Sequence, residues 1–214
     1  MHSRGPERYG RCNETLMSTC RVCGSGGPHA AWNARELMFR TGEQFLYLQC
    51  RNCRCLQLAT VPSDLGRYYA SGYYSYTTGA DNQARWKSSL KHLAYSVFSR
   101  IPSGFPFWKW GGVPEYFWWL AWSQLHREHA ILDVGSGMGF LMGQLKEIGF
   151  NRLMGVDPFV PRTGYNSAGV LIKKNYQWEI DGLFDCIIMN NSFEHMEFPD
   201  RTFSSARSVL KLGG

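Results

Sequence analysis

Two hydropathy patterns divide the chain. From Ala130 onward, short apolar runs closed by glycine alternate with amphipathic stretches, whereas the first 60 residues hold short runs punctuated by cysteine. Ile131-Leu-Asp-Val-Gly135 reads as a buried strand, because a brief apolar run bounded by glycine suits a central strand. Phe140 to Ile148 reads as a helix, with Leu141, Leu145 and Ile148 on one face and Gly149 as its stop. Leu153-Met-Gly-Val-Asp157 is the expected second strand, Val170-Leu-Ile-Lys173 the third and Phe184-Asp-Cys-Ile-Ile-Met189 the fourth. A closing helix is expected over Arg201 to Leu210, before Lys211-Leu-Gly-Gly214. Strands alternating with helices predict an α/β fold with a mostly parallel sheet and right-handed crossovers. Such a sheet binds ligands at the carboxyl ends of its strands.

Three regions follow: a cysteine-rich module over 1–60, an aromatic-rich linker with helices over 61–128, and the α/β core over 129–214. The linker holds Tyr68, Tyr69, Tyr73, Tyr74 and Tyr76, whose rings would either contact a bound cation or pack the two modules together. Phe105 to Trp122, with nine aromatic residues, is expected to form a helix packed on the sheet before its first strand.

Composition narrows the class without choosing a function. The chain has 214 residues, 44% hydrophobic and 19% charged, which excludes disordered and low-complexity classes. Its seven cysteines fall far below the density of a disulfide scaffold. The formal charge of +6 suits an acidic partner but does not by itself call for nucleic acid. The first residues, Met1-His-Ser-Arg-Gly-Pro-Glu-Arg8, lack the apolar core of an export signal. Val113 to Trp122, the most apolar stretch, contains Pro114 and Glu115 and is about half the roughly 20 residues a membrane span requires. A soluble, cytoplasmic protein is expected, in which close cysteine pairs are metal ligands or redox groups rather than disulfides.

The segment Asp133-Val-Gly135-Ser136-Gly137-Met-Gly139 carries the most chemical information. Alternate glycines at a strand-to-helix turn remove Cβ atoms, so a ligand can approach the backbone N–H groups. A dinucleotide loop needs glycine where Phe140 stands, and a Walker loop needs Gly-Lys-Ser/Thr, so both are disfavoured. What remains is Asp-x-Gly-x-Gly-x-Gly, which resembles the first motif of class I S-adenosylmethionine-dependent methyltransferases. That resemblance implies a Rossmann-like sheet of seven strands. It also implies that Asp133 accepts hydrogen bonds from the cofactor's methionyl amino group, that Gly135, Ser136, Gly137 and Gly139 form the loop around it, and that Asp157 holds the ribose hydroxyls. Asn190-Asn-Ser-Phe-Glu194-His195 is similar to the family's segment after strand four. It would place Asn190 beside the cofactor and make His195 the candidate proton acceptor; a cap and a packing histidine are the plainer reading of Glu194 and His195.

Cys20-Arg-Val-Cys23 and Cys50-Arg-Asn-Cys53 are two Cys-x-x-Cys turns separated by 26 residues, which suits one tetrahedral zinc ion. Four thiolates would close the coordination shell and make the metal structural, with Arg21, Arg51 and Arg54 offsetting the charge. Cys12 and Cys55 are possible competitors, a redox dithiol is the rival chemistry, and Cys186 reads as a small core residue. A four-cysteine ribbon ahead of a methyltransferase core resembles bacterial zinc-ribbon methyltransferases, including sugar C-methyltransferases and enzymes encoded with surface-polysaccharide genes. Lys211-Leu-Gly-Gly214 resembles the turn before the family's fifth strand, so the core is expected to be truncated and weakly active at most. The resulting expectation is methyl transfer from S-adenosylmethionine to a small acceptor, with no nucleic-acid partner. A nucleic-acid-binding ribbon and an inactive cofactor-binding remnant stand as alternatives.

Overall fold

Regular alternation of inward and outward side chains begins in the first module, where Ala31 of β2 and Leu48 of β3 turn to the same buried side. The computed structural model describes residues 10–37, 40–69, 93, 95, 116, 120 and 123–214. Strands β1 (Gly10–Leu16), β2 (His29–Arg35), β3 (Gln44–Gln49) and β4 (Leu56–Leu58) form one antiparallel meander in chain order. Ala31 pairs with Leu48, and Trp32 with Tyr47. Among the described residues between 15 and 65, the buried apolar side chains are Ala31, Leu48, Cys20 and Cys50, joined by the polar His29 and Gln57. Small domains of this size commonly rely on a metal or disulfides for stability.

The chain divides into two compact units: Met1–Leu65 with Glu197–Asp200, and Gly66–Met196 with Arg201–Gly214. The second contains a sheet of β5 (Ala130–Val134), β6 (Arg152–Val156), β7 (Gly164–Tyr165), β8 (Leu171–Lys173) and β9 (Cys186–Ile188). Its order is β7-β8-β6-β5-β9. The contacts of β5 with β6 and β9, and of β6 with β8, are parallel; β7 is antiparallel to β8. Every residue of β5 is buried, as a central strand covered on both faces requires.

Side-chain alternation along β5 splits the core. Ile131 joins Met142, Leu145, Ile148, Phe150 and Ile172 on one face, beneath helix α1 (Phe140–Glu147). Ala130, Leu132 and Val134 join Ile180, Phe184 and Val209 on the other, beneath helix α2 (Pro199–Val209). The expected apolar face holds at Leu145 and Ile148, both fully buried, while Leu141 is only half-buried and Met142 is the fully buried residue of the first turn. Tyr95, Tyr116 and Leu120 also belong to the first face. The rest of the expected Phe105–Trp122 helix, and Tyr73, Tyr74 and Tyr76, lie outside the described residues.

The crossovers are thinner than the strand-helix alternation implied. Between β6 and β8 stands the short strand β7, and between β8 and β9 a single 3-10 turn, Gln177–Glu179. Pro158, Pro161, Gly164 and Gly169 explain the first case, since prolines and glycines at this density prevent a helix from propagating. No described helix is long and apolar enough to cross a membrane.

Candidate functional site

The chain reverses its strand order at β5, with β6 on one side and β9 on the other. The loops leaving these three strands therefore meet at their carboxyl ends, where sheets of this type open a crevice. Asp133, in β5, is 3% exposed. No described residue donates a hydrogen bond to its carboxyl group. Burial first, and the charge of Asp157 second, push its pKa up to about 7. A buried carboxyl without a donor carries a free-energy penalty that a cationic hydrogen-bond donor would remove.

The loop after β5 has left-handed backbone at alternate positions, with φ of 76° at Gly135, 53° at Gly137 and 76° at Gly139. Its amides point mainly into the protein. Gly135 and Ser136 N–H donate to the Val156 carbonyl, Gly137 N–H to Asp157 Oδ2 at 3.0 Å, and Gly139 N–H to the Ser136 carbonyl. The glycines serve close approach by the chain itself. A Cβ at Gly135 would lie 2.4 Å from Ser192 Cβ, and one at Gly139 2.4 Å from Ile172 Cδ1. Gly155 in β6 is a further close approach, where a Cβ would stand 2.5 Å from Ser136 Oγ. The expectation that these glycines expose their amides to a ligand therefore gives way at Gly135, Gly137 and Gly139, whose N–H groups are all bonded within the chain.

Asp157, at the end of β6 and 7% exposed, uses both oxygens. Oδ2 accepts Gly137 N–H and Oδ1 accepts Phe159 N–H at 2.8 Å. It braces the glycine loop from the neighbouring strand, and a ribose diol would share oxygens already bonded to backbone amides.

Asn190 is exposed just beyond β9. Asn191 follows with φ of 49°, and Ser192 turns inward to donate its hydroxyl to the Val134 carbonyl at 2.6 Å. That bond ties the segment after β9 to the end of β5. His195 closes the 3-10 turn Phe193–His195, exposed, with Nε2 3.9 Å from Glu194 Oε1. Ser192 stood inside a motif read for its neighbours, and its anchoring role depends on a contact 58 residues away.

The four predicted cysteines come together in the other unit. Cys20 Sγ lies 3.7 Å from Cys53 Sγ and Cys23 Sγ 3.6 Å from Cys50 Sγ. All four sulfurs lie within 4.8 Å of one another. Sulfurs about 2.3 Å from a tetrahedral zinc ion are spaced about 3.8 Å apart, so this cluster fits such an ion. The first turn is closed by Gly24 N–H to the Cys20 carbonyl and the second by Arg54 N–H to the Cys50 carbonyl. Residues at the same place in each turn are left-handed, Gly24 at φ 69° and Arg54 at φ 65°. The Ser25 amide, the largest of several influences, holds the Cys23 thiol down at about 6. The Cys55 amide favours a Cys53 thiolate too, yet burial and the neighbouring sulfurs push that thiol up to about 12. Sulfurs this close oppose one another's ionisation until a cation joins them.

His29 and Gln57 escaped the sequence reading because neither lies in a cysteine motif. His29 is fully buried; its Nε2 meets the Ser25 carbonyl and its Nδ1 accepts Arg51 N–H, so one ring joins the two turns. Gln57 donates to Cys20 Sγ at 3.0 Å and accepts Arg21 N–H. Cys55 stands apart, its thiol directed to the Leu56 carbonyl. Cys186 is half-buried against the first face of the sheet. The side chain of Cys12 lies outside the described residues.

Residues 117–214 match the family model of a methyltransferase domain. That span contains β5 to β9 and helices α1 and α2. Among curated proteins, no relative matches the chain.

Proposed function

We propose that this protein transfers a methyl group from S-adenosylmethionine to a small, hydroxyl-rich acceptor such as a sugar or polysaccharide precursor, and that its amino-terminal unit is a ribbon folded around a structural zinc ion. The observation that carries the donor assignment is Asp133: a carboxyl 3% exposed, with no described donor, at the carboxyl end of the central strand. The cofactor supplies an electrophilic sulfonium methyl. Asp133 receives its amino group, a charge-assisted bond in a low-dielectric site. Gly135, Ser136, Gly137 and Gly139 form the wall, Asp157 braces that wall and holds the ribose hydroxyls, and Asn190 borders the opening.

Displacement at a sulfonium methyl depends mainly on holding donor and acceptor in line. Asn190, Asn191, Glu194 and His195 are all exposed on the segment after β9, a set of amide, carboxylate and imidazole groups suited to hydroxyls. His195 is the candidate base, needed only where the acceptor must lose a proton. Cys20, Cys23, Cys50 and Cys53 hold the zinc; with four protein ligands no position is open to water, so the metal stabilises the fold and takes no part in transfer.

Calorimetry with S-adenosylmethionine tests the donor site: wild type is expected to bind and Asp133→Ala to lose at least tenfold in affinity. Folded wild-type protein that produces no binding heat would overturn the assignment. Zinc is tested separately by metal analysis of the purified protein. About one equivalent per chain, lost in Cys50→Ser, is expected; less than about half an equivalent counts against the ribbon.

A further inference from the structure

The glycine loop is fixed at its entrance by the Val156 carbonyl and by Ser192, but its exit is held from elsewhere. Helix α1 is preceded by Gly139, a left-handed residue at its N-cap that supplies no side-chain cap. The Gly139 carbonyl already accepts the first helical bond, from Gly143 N–H at 2.9 Å. A second donor reaches the same oxygen, Asn166 Nδ2 at 2.9 Å, from the turn between β7 and β8.

Asn166 is itself held rigidly. Its Oδ1 accepts Ala168 N–H at 3.1 Å and Val170 N–H at 2.9 Å. Its backbone N–H donates to the Val170 carbonyl and its carbonyl accepts Gly169 N–H. The amide oxygen thus serves the hairpin, while the amide nitrogen serves the loop 27 residues earlier. The fit is close, since a Cβ at Gly139 would lie 2.9 Å from Asn166 Nδ2. The short β7–β8 hairpin, standing where a crossover helix was expected, delivers this donor.

We infer that Asn166 is a positioning residue for the donor site: its single N–H bond to the Gly139 carbonyl holds the exit of the glycine loop in the shape that receives the cofactor. The inference rests on the donor-site reading above.

Asn166→Asp removes that bond and sets a carboxylate oxygen against the Gly139 carbonyl, whereas Asn166→Ser removes it without that repulsion. A carboxylate keeps the acceptor for Ala168 and Val170 but has no N–H for Gly139. The substitution also adds negative charge near a cationic ligand, and charge alone would tighten binding. Loss of the clasp predicts the opposite sign. By calorimetry, S-adenosylmethionine is expected to bind roughly tenfold more weakly to Asn166→Asp than to wild type. By amide exchange in the unliganded protein, Gly143 N–H is expected to exchange several times faster, while the β8 amides keep their wild-type rates. Unchanged or tighter binding overturns the inference.

Should neither protein bind S-adenosylmethionine, the donor-site reading fails by itself, and Gly143 exchange decides the clasp: faster exchange supports it and an unchanged rate overturns it. If Asn166→Asp does not fold, Asn166→Ser carries the same two measurements, since a hydroxyl retains a local acceptor and is too short to reach Gly139.

Discussion

Replacing Asp133 with asparagine is expected to stabilise the unliganded protein while weakening cofactor binding, and the two effects have one cause. The carboxyl group is pushed up from 3.8 to about 7 by burial and by Asp157. A raised carboxyl pKa means the folded state holds its proton after the unfolded chain has released it. The penalty is therefore absent well below the unfolded value, grows as pH rises through the window from 3.8 to about 7, and is constant above it. That displacement is equivalent to about 4 kcal/mol at about pH 8 and about 1 kcal/mol at about pH 4.5. An asparagine amide without partners in the same place costs about 1 to 2 kcal/mol at either pH. The net expectation is a gain of about 2 to 3 kcal/mol at about pH 8, or a rise in melting temperature of roughly 5 to 10 °C. Near pH 4.5 the advantage should disappear or reverse, because wild-type Asp133 is then protonated when folded.

Thermal unfolding of both proteins across this range measures the difference directly, with titrating groups remote from Asp133 cancelling between them. Calorimetry at about pH 8 should show the variant binding S-adenosylmethionine at least tenfold more weakly, since a neutral amide gives up the charge-assisted bond. A stability difference that does not change with pH, or a variant less stable at about pH 8, would refute the account of Asp133 as a buried carboxyl awaiting a cation.

Gly155→Ala should destabilise the sheet unit by about 1 to 3 kcal/mol in denaturant titrations, because its Cβ would lie 2.5 Å from Ser136 Oγ and 2.6 Å from Ile172 Cδ1. Gly24→Ala tests backbone conformation alone: no atom lies within 4 Å of the added Cβ, so the cost of about 1 to 2 kcal/mol should come from the left-handed φ and appear as lower stability of the zinc-loaded protein. His195→Ala should leave cofactor affinity within about twofold of wild type, because its side chain is exposed beyond β9, and should reduce turnover by about 10²-fold or more once an acceptor is found. Full turnover in this variant would remove the base assignment.

What could be read directly from the chain was local. Short apolar runs marked β5, β6 and β9, since a buried strand leaves its signature in consecutive residues. Two Cys-x-x-Cys turns marked the cysteine cluster, since each pair lies within one turn of chain. The alternate glycines marked a left-handed loop for the same reason: a positive φ is a property of single residues. What the glycines make room for was set by packing, because Ser192 and Ile172 reach Gly135 and Gly139 only when distant segments meet. The same holds for Asp157, whose two oxygens are bound to backbone amides that the strand order brings beside it. His29, Gln57 and Asn166 carried no motif; each acts through hydrogen bonds between segments 22 to 37 residues apart. The antiparallel β7–β8 hairpin arose where prolines and glycines denied the chain a helix, leaving sheet pairing as the partner for its backbone. Residue type thus determined which chemistry each position offered, while folding decided which positions share a site, because a hydrogen bond or a steric clash depends on distances through space that sequence separation does not measure.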